Sequence, residues 1–301
     1  MSEYKGLVVK STGSWYRVWA NGAFIDVRAA GKIRLKGLKT TNPIAVGDMV
    51  VVRDDLIQEV EERKNYLIRR STNLSKQYHI LAANLDAAVL VASITKPRIA
   101  PGFIDRFLIN AEAYQVPAIV VINKIDLVDA DHEELEDLAF LYRSIGYPVY
   151  LLSTETADEL PLLVESIVGK TVLFTGFSGV GKSTLLNRID PSFEQKTGEI
   201  SVANEKGKHT TTFAEMFLME DGTKIIDTPG IKEMGLVDFE AWELSHFFPE
   251  MKKHSSHCKY NNCIHKNEPG CAVKKAVEEF EIHPFRYQNY LSMMDENFNS
   301  N

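Results

Sequence analysis

Gly176-Phe177-Ser178-Gly179-Val180-Gly181-Lys182-Ser183 has the form GxxxxGKS, and Asp227-Thr228-Pro229-Gly230 follows it downstream. Asn123-Lys124-Ile125-Asp126, an NKxD, lies upstream of both. Each stretch comes off an apolar run of strand character, Val172–Phe174, Lys224–Ile226 and Ala118–Ile122 respectively. A glycine loop between a strand and a helix, an aspartate at a neighbouring strand end and an NKxD are the parts of a GTP site. The usual order places NKxD last, so this chain reads as circularly permuted.

The chemistry of each part follows from its residue types. Glycines let the loop wrap closely around phosphates with successive amides pointing inward, and the helix after it offers its N-terminus to the same anion. Gly176, Phe177, Ser178, Gly179, Val180 and Gly181 are therefore candidate GTP contacts, with Lys182, Ser183 and Thr184 at the start of the helix. Lys182 should reach the β and γ phosphates and is a candidate catalytic residue, and the Ser183 hydroxyl should bind Mg²⁺. Asp227 supplies a second oxygen on the magnesium side, and Gly230 completes its turn. Guanine presents two donors, N1–H and the exocyclic amine, that the Asp126 carboxylate can accept together. Adenine would set that charge against a lone pair, and an unmatched buried polar group discriminates strongly. Asn123, Lys124 and Ile125 complete the base-reading motif. Ser153, just beyond the run Val149–Leu152, sits where a backbone amide would meet the guanine oxygen.

The polar stretch 190–212 ends in His209-Thr210-Thr211-Thr212. A switch of this kind carries a magnesium-binding Thr that the γ-phosphate orders. Thr211 fits by spacing, with Thr210 and Thr212 beside it. Ile231 follows Gly230 where many GTPases keep a water-orienting Gln. An Ile cannot orient water, so another group or another molecule must, and His209 is the candidate within this chain.

The flanks differ from the centre. Net charge is −7 over 301 residues, but residues 1–70 carry 13 Lys/Arg against 8 Asp/Glu and residues 71–250 carry 14 against 27. Leu7–Lys10, Trp15–Trp19, Phe24–Arg28, Ile33–Leu35 and Met49–Val52 read as short strands separated by turns, with Asn21-Gly22 a hairpin signal. About five strands in this length suggest a small OB-fold barrel, a common oligonucleotide binder. Arg28, Lys32, Arg34, Lys36 and Lys39 form either a solvated basic edge or a nucleic-acid surface. Residues 63–80 read as a basic, polar linker. From residue 85 apolar strands alternate with helical patterns near 101–115, 131–144 and 159–168 and from Lys182, the rhythm of a mostly parallel sheet covered on both faces.

The three cysteines all fall in Cys258-x4-Cys263-x-His265-x5-Cys271. Three thiolates and an imidazole make a closed tetrahedral zinc site, structural because no ligand position stays open. His254 and His257 are alternative ligands. Lys252, Lys253, Lys259, Lys266, Lys274 and Lys275 surround the cluster, as an RNA contact or as a solvated face. No apolar run approaches the roughly 20 residues of a membrane helix, and the first residues lack an apolar signal core. The expectation is a cytoplasmic protein with no membrane partner.

The expected fold class is α/β: a circularly permuted P-loop GTPase domain (71–235), an N-terminal OB-fold β-barrel (1–70) and a C-terminal mainly helical zinc-binding domain (236–301). NKxD before GxxxxGKS before DTPG, between such a barrel and such a cysteine pattern, resembles the RsgA (YjeQ/YloQ) family over roughly residues 4–290. Glu268-Pro269-Gly270-Cys271 and Gly207-Lys208-His209-Thr210-Thr211 are its more specific marks. The resemblance implies a bacterial GTPase that binds GTP and GDP, uses Mg²⁺ with GTP and one structural Zn²⁺, and acts late in small-subunit assembly. It further implies binding to the 30S ribosomal subunit and its 16S rRNA, stimulation of hydrolysis by 30S, and a hydrolytic role for His209. A monomer is expected. Two other readings fit the same residues: a GTP-regulated RNA-binding scaffold, and a permuted GTPase serving another ribosomal particle or RNA. An ATPase is opposed by Asp126.

Overall fold

A computed structural model describes residues 3–31, 40, 42–70, 78–128, 133–153, 159–191, 193, 214–228 and 240–298. The first five strands are β1 (Glu3–Ser11), β2 (Tyr16–Ala20), β3 (Ala23–Ala29), β4 (Met49–Arg53) and β5 (Leu56–Val60). β1, β2 and β3 form an antiparallel meander, β5 joins β3 in parallel and β4 antiparallel, and β4 returns to β1. The ring therefore closes and leaves no barrel edge for another chain. Val8, Val18, Val27, Val50, Val52 and Ile57 alternate inward to fill it. Asn21 and Gly22 turn from β2 to β3 with φ of 52° and 78°, the left-handed pair their side chains tolerate.

The barrel has a strand that the sequence pattern does not mark, and the expected linker is structured. Ile33–Leu35 lies outside the described residues, and the strand that closes the barrel is Leu56–Val60. Only Ile57 of that strand is fully buried, so its apolar signal is weak. The expected linker at 63–80 contains a hairpin: β6 (Tyr66–Arg70) pairs antiparallel with β7 (Tyr78–Ala83). Its polar composition hides Leu67, Ile68 and Ile80, all buried. The hairpin also fastens the barrel to the central sheet. Just before it, Arg63, almost wholly buried, donates to both oxygens of buried Asp48 at 2.6 Å and to the Pro43 carbonyl at 2.9 Å.

The central sheet runs β10 (Val149–Leu151), β9 (Ala118–Ile122), β8 (Ala87–Ala92), β11 (Thr171–Gly176), β13 (Lys224–Asp227), β12 (Glu215–Leu218). All neighbours are parallel except β12 on β13. The inner strands are apolar throughout because both faces are covered. Along β8, Ala88, Leu90 and Ala92 enter one core and Ala87, Val89 and Val91 the other. Helices α1 (Pro101–Ala113) and α2 (Glu133–Ile145) close the first face. Helices α3 (Leu160–Ile167) and α4 (Lys182–Ile189) close the second. β12 meets the barrel through a single register pair, Lys10 on Glu215, whose side chains form an ion pair at 2.9 Å.

The last unit packs α5 (Pro249–Ser255), α6 (Ala272–Glu278) and α7 (Pro284–Phe298) around Leu244, Phe248, Met251, Val273, Tyr290 and Met293. Ile109 of α1 belongs to this core, so the unit rests on the first face of the sheet domain. The joint is polar at its centre. Arg286, wholly buried, donates to Asp105 of α1 at 2.5 Å and to Glu250 of α5 at 2.7 Å. Tyr142 and Asn289 donate to the two Asp105 oxygens at 2.7 and 2.5 Å. Burial works to lower the Arg286 pKa, but the Asp105 and Glu250 carboxylates outweigh it and hold the guanidinium above its ordinary value.

Removing one partner of such a pair strands the rest without compensation. Arg286→Met is expected to cost about 3–5 kcal/mol in urea unfolding. A loss under about 1 kcal/mol would show that the joint is held by apolar packing alone.

Candidate functional site

The glycine loop spans the end of β11 to the start of α4, at the carboxyl edge of the sheet, where open α/β folds bind ligands. Gly181 is the residue before α4 and takes φ of +91°. A side chain there would be strained, and its Cβ would strike the Asn123 side-chain amide. Val180 is wholly buried and anchors the loop in the second core, whereas Ser178, Ser183 and Thr184 are exposed. Phe177 packs on Phe103 with ring centroids 4.4 Å apart. Lys182 is ion-paired with Asp227 at the tip of β13 and also donates to the Thr228 carbonyl. The lysine of the loop and the aspartate of the neighbouring strand thus meet at one point.

The NKxD turn is clasped to this loop. Asn123 comes directly after β9, and its own amide donates to the Ala92 carbonyl at 2.8 Å. The Asn123 side-chain amide donates to the Val180 carbonyl at 2.9 Å. Lys124 adopts a left-handed conformation, φ 63°, which turns its chain over the loop. Its ammonium donates to the Gly179 carbonyl at 2.6 Å and to the Lys96 carbonyl at 2.7 Å. Neither residue needs to touch a ligand to matter, since each fixes a loop carbonyl that would otherwise be loose. A short 3-10 turn, Ile125–Leu127, then exposes Asp126.

Ser153 is wholly buried beside this turn, and its hydroxyl donates to Asp126 Oδ1 at 2.5 Å. The Ile125 amide reaches the Leu152 carbonyl at 3.2 Å, tying the two segments again through the backbone. Arg188, in the last turn of α4, donates to the Ser153 carbonyl. The sequence reading assigns Ser153 a backbone contact and does not foresee its hydroxyl bond to Asp126, nor Arg188. No motif marks Arg188. Its position five residues past Ser183 on one helix was the only available signal. His209, Thr211, its neighbours Thr210 and Thr212, and Gly230 lie outside the described residues.

The second site is the cysteine cluster. The donor atoms of Cys258, Cys263, His265 and Cys271 all lie within 4.8 Å of one another. Cys258 and Cys271 sulfurs are 3.9 Å apart, close to the roughly 3.8 Å edge of a tetrahedron with metal–sulfur bonds of about 2.3 Å. His265 turns Nδ1 toward the sulfurs, 3.3 Å from Cys271 and 3.6 Å from Cys258. The residues therefore fit a metal ion. Burial pushes the Cys263 thiol up to about 12 and lowers the His265 pKa. Glu268 shapes the turn between ligands by accepting from the amides of Ile264, Lys266 and Asn267 at 2.8, 2.9 and 3.0 Å. His254 faces Glu281 at 3.6 Å, and neither it nor His257 joins the cluster.

A parallel sheet with a glycine loop, an Asn-Lys-x-Asp turn clasped onto it from earlier in the chain, and an aspartate on the next strand is a circularly permuted P-loop GTPase domain. It sits between a closed barrel and a helical cysteine-cluster unit. The family model of the RsgA GTPase matches residues 60–237, and that of the RsgA N-terminal domain matches residues 5–59. The Small ribosomal subunit biogenesis GTPase RsgA of Bacteroides fragilis (strain YCH46) is 51% identical over 299 residues, covering 97% of this chain and 96% of its own. The crystal structure of YjeQ from Thermotoga maritima aligns with a TM-score of 0.78 at 33% identity, over 100% of both chains. That of YloQ, a circularly permuted GTPase, aligns at 0.72 and 32%, over 100% of this chain and 96% of its own. The chain belongs to the RsgA GTPase family, whose enzymes hydrolyse GTP with Mg²⁺.

Asn123→Ala would leave the buried Val180 carbonyl without its donor, a loss of about 1–3 kcal/mol. GTP affinity should fall by roughly ten- to a hundredfold, read by equilibrium binding of a fluorescent analogue. Unchanged affinity would mean that the clasp does not shape the loop. For the cysteine unit, elemental analysis should find one bound metal per chain. Its removal by a chelator should make all three thiols reactive, whereas a metal-free chain with protected thiols would overturn the site.

Proposed function

We propose that this GTPase acts in maturation of the small ribosomal subunit, binding the 30S particle through its 16S rRNA and hydrolysing GTP faster when bound. The observation that carries this reading is the whole-length likeness to relatives named for small-subunit biogenesis, on a chain whose GTP site is flanked by two basic, partly aromatic surfaces. On the barrel, Trp15 and Phe24 are about half exposed, at 46% and 56%, and Arg28 stacks 4.1 Å above the Trp15 ring. Exposed aromatic faces beside cations suit unpaired bases and phosphates. Lys32, Arg34, Lys36 and Lys39 extend the same basic character in sequence. Around the cysteine cluster, Lys252, Lys253, Lys259 and Lys275 are exposed. Lys266 pairs with Asp295 at 2.5 Å and is less available to RNA.

The proposed roles at the GTP site combine the described geometry with the motifs of the sequence. Asp126 accepts the two guanine donors, and the Ser153 hydroxyl keeps its carboxylate aimed. Gly176 through Gly181 cradle the phosphates, with Lys124 and Asn123 bracing the loop from behind. Lys182 exchanges Asp227 for the β and γ phosphates. Asp227, Ser183 and Thr211 would hold Mg²⁺, which would supply positive charge beside the phosphates. Thr184 and Gly230 complete the shell. His209 is the residue of this chain proposed to orient the attacking water in place of a Gln. Zn²⁺ is the metal that three thiolates and an imidazole select in a closed site. The three units, 1–70, 71–235 and 236–301, then serve as RNA-facing barrel, GTPase and RNA-facing zinc unit, with the β6–β7 hairpin bridging the first two. No described helix is long and apolar enough to cross a membrane. A cytoplasmic monomer fits a ribosomal partner.

The test is the GTPase rate alone and with separated 30S, 50S and 70S particles. Stimulation by 30S of tenfold or more, toward the range of activators that act in trans, is the expected outcome. Equal rates with all three would overturn the small-subunit assignment. His209→Ala should abolish the stimulated rate while leaving GTP affinity within about twofold.

A further inference from the structure

β10 is a three-residue edge strand with β9 as its neighbour in the sheet. Its exit leads directly to Ser153, the residue that holds Asp126. Short edge strands have few ladder bonds, so the position of their exit depends on what else is attached. On one side, Arg143 donates to the Val149 carbonyl at 3.1 Å, and Glu159 accepts from the Leu151 amide at 2.6 Å. On the other, Arg188 crosses from α4 to the Ser153 carbonyl. The helix that begins under the glycine loop at Lys182 therefore ends by gripping the residue that aims the base-reading carboxylate.

We propose that Arg188 is a positioning residue for guanine selection: it fixes Ser153, and through the Ser153 hydroxyl the Asp126 carboxylate, without touching nucleotide. The proposal rests on the reading of Asp126 as the guanine acceptor. Asp126 is exposed on a one-turn 3-10 segment, and the bond from buried Ser153 sets its aim. Ser153 in turn is placed by the Leu152 amide on the Ile122 carbonyl at 2.8 Å and by Arg188 on its own carbonyl. A guanidinium suits this task better than an ammonium because it is planar and pre-organised, and keeps its charge when half buried. One helix then links phosphate grip to base choice. A nucleotide whose phosphates seat well but whose base lacks the second donor gains less from the same loop.

The experiment uses the full chain, with GTP, ITP, ATP and inorganic tripolyphosphate as probes of equilibrium binding. ITP lacks the exocyclic amine and offers Asp126 one donor instead of two. Arg188→Met should weaken GTP about tenfold and ITP about two- to threefold, which narrows the preference. Tripolyphosphate binding should stay the same. Arg188→Lys keeps a cation at the end of α4 and should also narrow the preference, by about half as much on a logarithmic scale. In the Arg188→Met background, Ser153→Ala should narrow it little further, because both act along one path. Equal losses for GTP, ITP and tripolyphosphate would show a merely structural arginine and overturn the proposal. An unchanged GTP-to-ITP ratio would overturn it too. A wild-type chain that binds ATP as well as GTP would instead remove the base reading itself, and with it any role for Arg188 in selection.

Discussion

The site depends on the bond between the Asn123 side-chain amide and the Val180 carbonyl. It joins two stretches 57 residues apart and leaves no room for a side chain on Gly181. A loop made of glycines is free to adopt many shapes, and entropy works against the one that wraps phosphates. Asn123, Lys124 and the buried Val180 remove that freedom before any ligand arrives. The loop is thereby pre-organised, and less of the binding energy is lost to ordering it. Asn123 can do this only because β8, β9 and β11 lie side by side, with the ends of β9 and β11 on either side of β8.

The flanking units are attached by different means. The barrel holds on through the buried Arg63–Asp48 pair and the β6–β7 hairpin, and touches the edge strand β12 through Lys10 and Glu215. The cysteine unit shares an apolar core with α1 and adds the Arg286 network at its centre. Buried ionic joints contribute little net stability but tolerate no substitute geometry, so they fix orientation. Under the proposed function, two surfaces that meet one RNA together would use that kind of fixed angle. The permutation adds to this: the segment after Asp227 runs directly into the cysteine unit, so a change near the phosphates has a short covalent path to it.

Motif chemistry was legible in the sequence because it depends on residue type at fixed spacing. The glycine loop, Asn123, Asp126, Ser153, Asp227 and the four cluster ligands could be named, and the structure brings the GTP-site residues to one sheet edge and the ligands to one point. The α/β rhythm was legible for the same reason, since fully buried parallel strands leave long apolar runs. What failed had weak local signals. Leu56–Val60 buries one residue fully and turns at Asp54-Asp55 without a glycine or asparagine. The hairpin at 66–83 has its buried residues masked by basic neighbours. The first takes its register from the neighbouring β4 and from β3, and the two strands of the hairpin pair with each other.

The sequence by itself determined the permuted GTPase class and marked the candidate base-reading residues and the cysteine cluster, because those follow from which functional groups are present and in what order. Only the tertiary structure decided how the groups act on one another. That Lys124 directs its charge to two carbonyls, that His254 faces Glu281 and stands apart from the cysteine cluster, and that Arg188 reaches Ser153 are facts of distance. A hydrogen bond falls away within about an ångström, and no spacing along a chain encodes a separation across a folded sheet that finely.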